Sequence, residues 1–167
     1  ISHAIKVTQD NPTGFSLHIS AKGPLYKNEN SLCHVYIEIS RRENIMRESR
    51  AFELSNSNYL IPSPIIRGMS LDEVAAEKVR AIVTRDKPRD VYDLAFLVQQ
   101  KKIPFNERFI NQKMRYYQEK FDEKRLMKKL DEKRKDWKKE MNNITLTKLP
   151  PFEHEQAIIQ EWIKKRK

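Results

Sequence analysis

The chain has 167 residues, 33 basic against 23 acidic side chains for a net charge of +10, and only 38% hydrophobic residues. That length allows one domain with its own core, or a small domain with an extension, in a chain unusually rich in charge. No apolar run approaches the ~18 residues of a membrane-spanning helix, the first residues lack the basic and apolar regions of a signal peptide, and Cys33, as the only cysteine, rules out an internal disulfide and a multi-cysteine metal site. The setting expected from this is cytoplasmic, with no membrane partner.

The first third alternates with period two. Phe15, Leu17 and Ile19 alternate with Ser16, His18 and Ser20, and Cys33, Val35, Ile37 and Ile39 alternate with His34, Tyr36, Glu38 and Ser40. Both runs predict half-buried antiparallel strands, joined by a loop that contains Gly23-Pro24 and the stretch from Asn28 to Asn30. Residues 41–64 are polar and then broken by Pro62 and Pro64, and a short strand is expected from Ile65 to Met69.

The pattern then becomes helical. Ser70 and Glu73 have the spacing of a capping box. Leu71, Val74, Ala75 and Ile82 form an apolar stripe. A second helix opens around Pro88 after a break at Arg85 to Lys87. A third fits Asn106 to Lys120, with Ile110, Met114, Tyr117 and Phe121 at helical spacing, and a fourth fits Asp122 to Met141, with Leu126, Leu130, Trp137 and Met141 on one side. Asn142-Asn143 and Pro150-Pro151 bracket a connector, and a last helix starts near Phe152. The fold class expected is α+β: a small mixed or antiparallel sheet in residues 1–69, then a helical region in residues 70–167.

Charge is unevenly spread. From residue 101 onward lie 20 of the 33 basic residues but only 11 of the 23 acidic ones, so nearly all the excess is in the C-terminal helices. Two readings stand side by side: a polyanionic partner, most often nucleic acid, or a solvated Lys/Glu-rich surface.

Lys78 projects into the middle of the apolar stripe of the first helix, where an ammonium is costly unless it is paired or reaches a polar cleft. It either contacts phosphate as a compact charge or lays its stem on the core and snorkels to a helix carboxylate. Asp90 either orients that lysine, acts as a base or metal ligand, or simply favours the opening turn of its helix. Arg85 and Arg89 either clamp phosphate or pair with Asp86, Asp90 or Asp93, and Asp93 also fits an i,i+4 pair with Arg89. Glu38 shares a strand face with His34 and Tyr36 and holds a divalent metal only if that face lines a cleft. His3, His18, His34 and His154 lack zinc-like spacing, and three glycines (Gly14, Gly23 and Gly68) cannot build a P-loop or a dinucleotide fingerprint.

Glu77-Lys78-Val79-Arg80-Ala81, then Arg85, then Arg89-Asp90-Val91-Tyr92-Asp93-Leu94 resembles the nucleotidyltransferase family of AbiEii/AbiGii-type toxins. Val35 to Ser40 resembles its later core strand, with Glu38 as the acid. The resemblance implies a nucleotidyltransferase-like fold that moves a nucleotide from a Mg²⁺-bound nucleoside triphosphate to an acceptor, with RNA suggested by the basic helices, in a toxin-like or phage-defence component with a cognate antitoxin. It implies Lys78 at the nucleotide phosphates, with Arg85 and Arg89 beside it, Asp90 as support or base, Asp93 in support, and Glu38 as third acid of the Mg²⁺ site. The family's first motif, a Gly-Ser or Gly-Gly turn before a strand with an Asp-x-Asp pair, has no counterpart here; Asp10 stands alone. The expectation is a C-terminal part or degenerate member, inactive or incomplete as it stands. Two rivals remain: a non-catalytic nucleic-acid-binding module using Lys128, Lys129, Lys133 and Arg134, and a protein-interaction domain.

Overall fold

The computed structural model describes residues 3–42, 44–54, 62–142, 144–145 and 148–165. The chain divides into two compact units, Ile1–Asn44 and Ile45–Lys167. The architecture is α+β, small antiparallel sheets followed by a helical C-terminal region.

The first unit is a three-stranded meander of β1 (His3–Asn11), β2 (Gly14–Ala21) and β3 (Cys33–Ser40). Its register puts Ile19 opposite both Ile5 and Val35, and Leu17 opposite both Val7 and Ile37. The two predicted strands are β2 and β3. β1 was not expected, because only Ile5 and Val7 alternate before the polar Thr8-Gln9-Asp10-Asn11, and pairing with β2 makes it a strand. The β1–β2 turn is closed by Asn11, whose Oδ1 accepts from the backbone N–H of Thr13 and Gly14, each at 3.0 Å. A Cβ on Gly14 would lie 3.1 Å from the Ile39 carbonyl, a tight approach that favours glycine there. β3 is exposed throughout rather than half-buried, because a single-layer meander has no second layer of its own.

The second unit opens with a hairpin of β4 (Arg50–Glu53) and β5 (Ile65–Gly68). β5 is the expected strand, and β4 lies in a stretch whose polarity hid it. Helices follow: α1 (Leu71–Thr84), α2 (Arg89–Lys101), α3 (Glu107–Met114), α4 (Glu123–Glu132), α5 (Trp137–Met141) and α6 (Phe152–Lys164). None is long and apolar enough to cross a membrane among the described residues. α1 packs against α2, α3 and α4, and α2 packs against α6. The core between them holds Val79, Ile82, Leu94, Ile110, Met114, Leu126, Leu130 and Ile159, all at most 2% exposed.

Three local expectations are corrected. The third helix stops at Met114 and continues as one 3₁₀ turn, Arg115–Tyr117, ended by Gln118 in the left-handed region. The fourth is not one helix: a 3₁₀ turn at Lys133–Asp136 separates α4 from α5. The Ser70 side chain makes no cap bond, and Glu73 turns to partners outside its helix, because a nearly inaccessible carboxylate is held by the strongest donors within reach.

Across the 3₁₀ turn the buried row still runs Leu126, Leu130, Lys133, Trp137, Met141. The lysine in that row caps α1: its Nζ donates to the Ile82 carbonyl at 2.8 Å and to the Lys129 carbonyl at 3.3 Å, with Asp86 at 3.6 Å. Burial pushes its ammonium below the ordinary lysine value, partly offset by Asp86. Lys133 therefore satisfies a last-turn carbonyl of α1 and is withdrawn from any surface partner. Lys133→Ala is expected to lose about 1–3 kcal/mol, read by urea unfolding; an unchanged midpoint rules out the cap.

Candidate ionic site on helices α1 and α2

α1 and α2 are joined by only Arg85 to Pro88, which packs them side by side and brings Lys78 and Asp90 together. The buried face of α1 centres on Val79, with Ala75, Ala76, Ile82 and Val83, so Lys78 sits at the margin of the stripe rather than in its middle. Its Nζ donates to Asp90 Oδ1 at 3.0 Å and to Asp93 Oδ2 at 2.6 Å. Arg85, the residue that ends α1, holds Asp90 in a fork: Nε to Oδ2 at 2.8 Å and Nη2 to Oδ1 at 2.7 Å. Of the three aspartates within reach in sequence, Arg85 takes Asp90.

Asp90 is fully buried, while Lys78 is 22% and Arg85 46% exposed. Burial pushes the Asp90 carboxyl up, but the hydrogen bonds from Arg85 and then Lys78, with their charges, outweigh it and hold it below the ordinary aspartate value. The bond to Asp90 raises Arg85 in turn. The carboxylate is thus ionised, with both oxygens occupied by cations, and acts as an anchor that fixes two positive groups at the surface.

The other candidates lie as follows. Asp93 is half exposed and bonds Lys78. Arg89, the first residue of α2, is exposed and makes no ion pair among the described residues. Glu38 lies on the first unit's sheet, exposed on β3 opposite Ser16. On the same face the rings of His18 and His34 meet, Nε2 to Nδ1 at 2.9 Å.

Sequence reasoning missed a second ionic group on α1. Glu73 is fully inaccessible and accepts from the backbone N–H of Met46 at 2.7 Å and Arg47 at 3.0 Å. Lys113 of α3, equally buried, forms a close ion pair with Glu73 and approaches Glu77 Oε1 at 3.2 Å. Glu77 in turn accepts from Arg80 Nε at 2.7 Å, and the Arg80 guanidinium lies 4.6 Å from the centre of the Tyr117 ring. The signal was present: Lys113 sits beside Ile110 and Met114 just as Lys78 sits beside the α1 stripe, and Glu73 and Glu77 are one helical turn apart.

The donors of this group do not suit a resident Mg²⁺. Both Asp90 oxygens are filled by Arg85 and Lys78, and Asp93 bonds Lys78. No cluster of three or more His, Cys, Asp or Glu suited to a metal occurs among the described residues. Carboxylates neutralised by cations are poor ligands for a hard divalent ion, so this group does not fit a metal of its own.

No curated protein and no solved structure has significant similarity to the chain. A family model described as nucleotidyl transferase AbiEii toxin, type IV toxin–antitoxin system, matches residues 1–160. A match over nearly the whole length, spanning the helix pair that carries Lys78, Arg85 and Asp90, means that the chain belongs to the AbiEii nucleotidyl transferase toxin family.

Proposed function

We propose that the helical region, residues 70–167, provides the phosphate-holding side of a nucleotidyltransferase whose substrate is a Mg²⁺-bound nucleoside triphosphate. Lys78 and Arg85 contact the phosphates, Arg89 adds a third cation, and Asp90 with Asp93 positions Lys78. The observation that carries this reading is the buried Asp90 carboxylate, which fixes two partly exposed cations by three hydrogen bonds of 2.7–3.0 Å. Prepositioned cations of this kind bind polyphosphate without reorganisation. The Asp-x-Asp pair of the family's first motif is not in this sequence, so the part of that activity assigned to these residues is nucleotide binding, and transfer to the acceptor needs acids that they do not supply. The setting proposed is cytoplasmic, with RNA as acceptor and a cognate antitoxin.

Calorimetric titration with each nucleoside triphosphate and Mg²⁺ tests it. Saturable binding is expected, weakened by about 30- to 150-fold in Lys78→Ala, as befits loss of a charged hydrogen bond of about 2–3 kcal/mol, and largely restored in Lys78→Arg. Equal affinity in Lys78→Ala, or no saturable binding by the parent chain, overturns the reading.

A further inference from the structure

Nine cations lie between Lys124 and Lys139, and four of them are committed to the protein itself. Arg125 pairs closely with Glu119, Lys129 bonds Glu132 at 2.7 Å, Lys133 caps α1, and Arg134 pairs with Glu153 and Asp131. The basic residues singled out from sequence as nucleic-acid contacts were Lys128, Lys129, Lys133 and Arg134; three of these four are therefore engaged elsewhere.

The remaining five, Lys124, Lys128, Lys135, Lys138 and Lys139, are exposed and make no ion pair among the described residues. Their spacing has a geometric consequence. The buried row of the α4–α5 rod is Leu126, Leu130, Lys133, Trp137 and Met141, and at 3.6 residues per turn Lys124, Lys128, Lys135 and Lys139 fall on the opposite side and Lys138 on its flank. At about 1.5 Å per residue they form a stripe roughly 22 Å long. Asp131 and Glu132 are the acids beside the stripe, and Arg134 and Lys129 neutralise them. Lys135 and Lys138 also line a groove of about 670 Å³ with Arg134, Leu149, Pro150 and Pro151. The positive end of the chain is thus a directional row of uncompensated ammoniums along the edge of a concave surface.

We infer that the Lys124–Lys128–Lys135–Lys138–Lys139 stripe is a docking surface for the phosphate backbone of a nucleic-acid strand. A row of exposed lysines whose neighbouring carboxylates are already paired gains by releasing the counterions of a linear polyanion, which a compact anion cannot match. The inference rests on the RNA-acceptor part of the proposed function and is independent of nucleotide binding at Lys78.

The test is fluorescence anisotropy with the full chain and a labelled RNA of about 20 nucleotides, with DNA of the same sequence as a second arm, between about 50 and 200 mM salt. The stripe variant carries Lys→Gln at all five positions. A control variant with the same charge loss carries Lys→Gln at Lys6, Lys27, Lys101, Lys102 and Lys120, which also make no ion pair among the described residues. The stripe variant is expected to bind at least about 30-fold more weakly, with a salt slope shallower by about 3.5, at roughly 0.7 per lost phosphate contact; the control is expected to stay within about threefold of the parent. The RNA and DNA arms tell which nucleic acid is preferred. Equal weakening in the two variants, or equal competition by polyglutamate of matched charge, overturns the inference. The nucleoside triphosphate affinity of the stripe variant stays at the parent value, so failure here and failure at Lys78 are read separately.

Discussion

Lys113→Met lowers the unfolding free energy by about 3–5 kcal/mol, because it strands the Glu73 carboxylate without its cation in the helical core. Glu73 and Lys113 are 0% and 3% exposed, so water cannot take the lysine's place. The carboxylate also holds the backbone N–H groups of Met46 and Arg47, and Arg47 itself bonds Asp72 at 3.1 Å and stacks over Phe109. Loss of Lys113 therefore loosens the segment that leads into α1 as well as the α1–α3 contact. Adding Glu73→Gln is expected to recover about half or more of the loss, since a neutral amide still accepts from a backbone N–H and no buried charge remains. Urea unfolding of the two single variants and the double variant measures the coupling. Additive losses would show that the pair does not act as a unit.

Asp90→Asn costs about 2–4 kcal/mol near neutral pH, where it removes the charge and one of the two buried acceptor oxygens that hold Arg85 and Lys78 by three hydrogen bonds. The loss is smaller than at Lys113, because both released cations reach solvent and Lys78 keeps Asp93. The dependence on pH has a defined sign. The folded Asp90 carboxyl titrates below the ordinary value of 3.8, so its stabilisation is complete above that pH and fades as pH falls through the lower folded value. The stability gap between parent and Asp90→Asn is therefore constant from neutral pH down to about 5 and closes below about 3.8. Unfolding curves of the two proteins across that range decide it. A gap that persists unchanged at the acid end would mean that Asp90 is not held as a stabilised anion.

Much of the fold was legible because its signals are local. Alternation over Phe15 to Ile19 and Cys33 to Ile39 marked β2 and β3, and apolar spacing with the breaks at Pro88 and Pro150-Pro151 marked α1, α2 and α6. β1 and β4 escaped because neither carries a sustained pattern, and each is a strand by virtue of its partner. The 3₁₀ turn at Lys133–Asp136 escaped because the buried row runs through it without interruption. The site was half legible. Lys78 stood out as a cation beside an apolar stripe, and Asp90 and Arg85 as its neighbours across a short turn. Lys133 did not stand out, since a lysine in a lysine-rich stretch gives no sign of being buried, and Lys113, placed beside Ile110 and Met114 much as Lys78 is beside its stripe, has its carboxylates 36 and 40 residues away in sequence.

The sequence by itself determined the types of most elements, the place of the positive excess, and the presence of a lysine where α1 turns toward its core. Tertiary structure alone decided which carboxylate each cation meets. Arg85 had three aspartates in reach, Asp93 two cations, and Glu73 a local cap that it abandoned for Lys113, 40 residues away in sequence. The reason is physical: an ion pair's strength depends on separation and on exclusion of water, and both are fixed by how helices pack rather than by the order of residues along the chain.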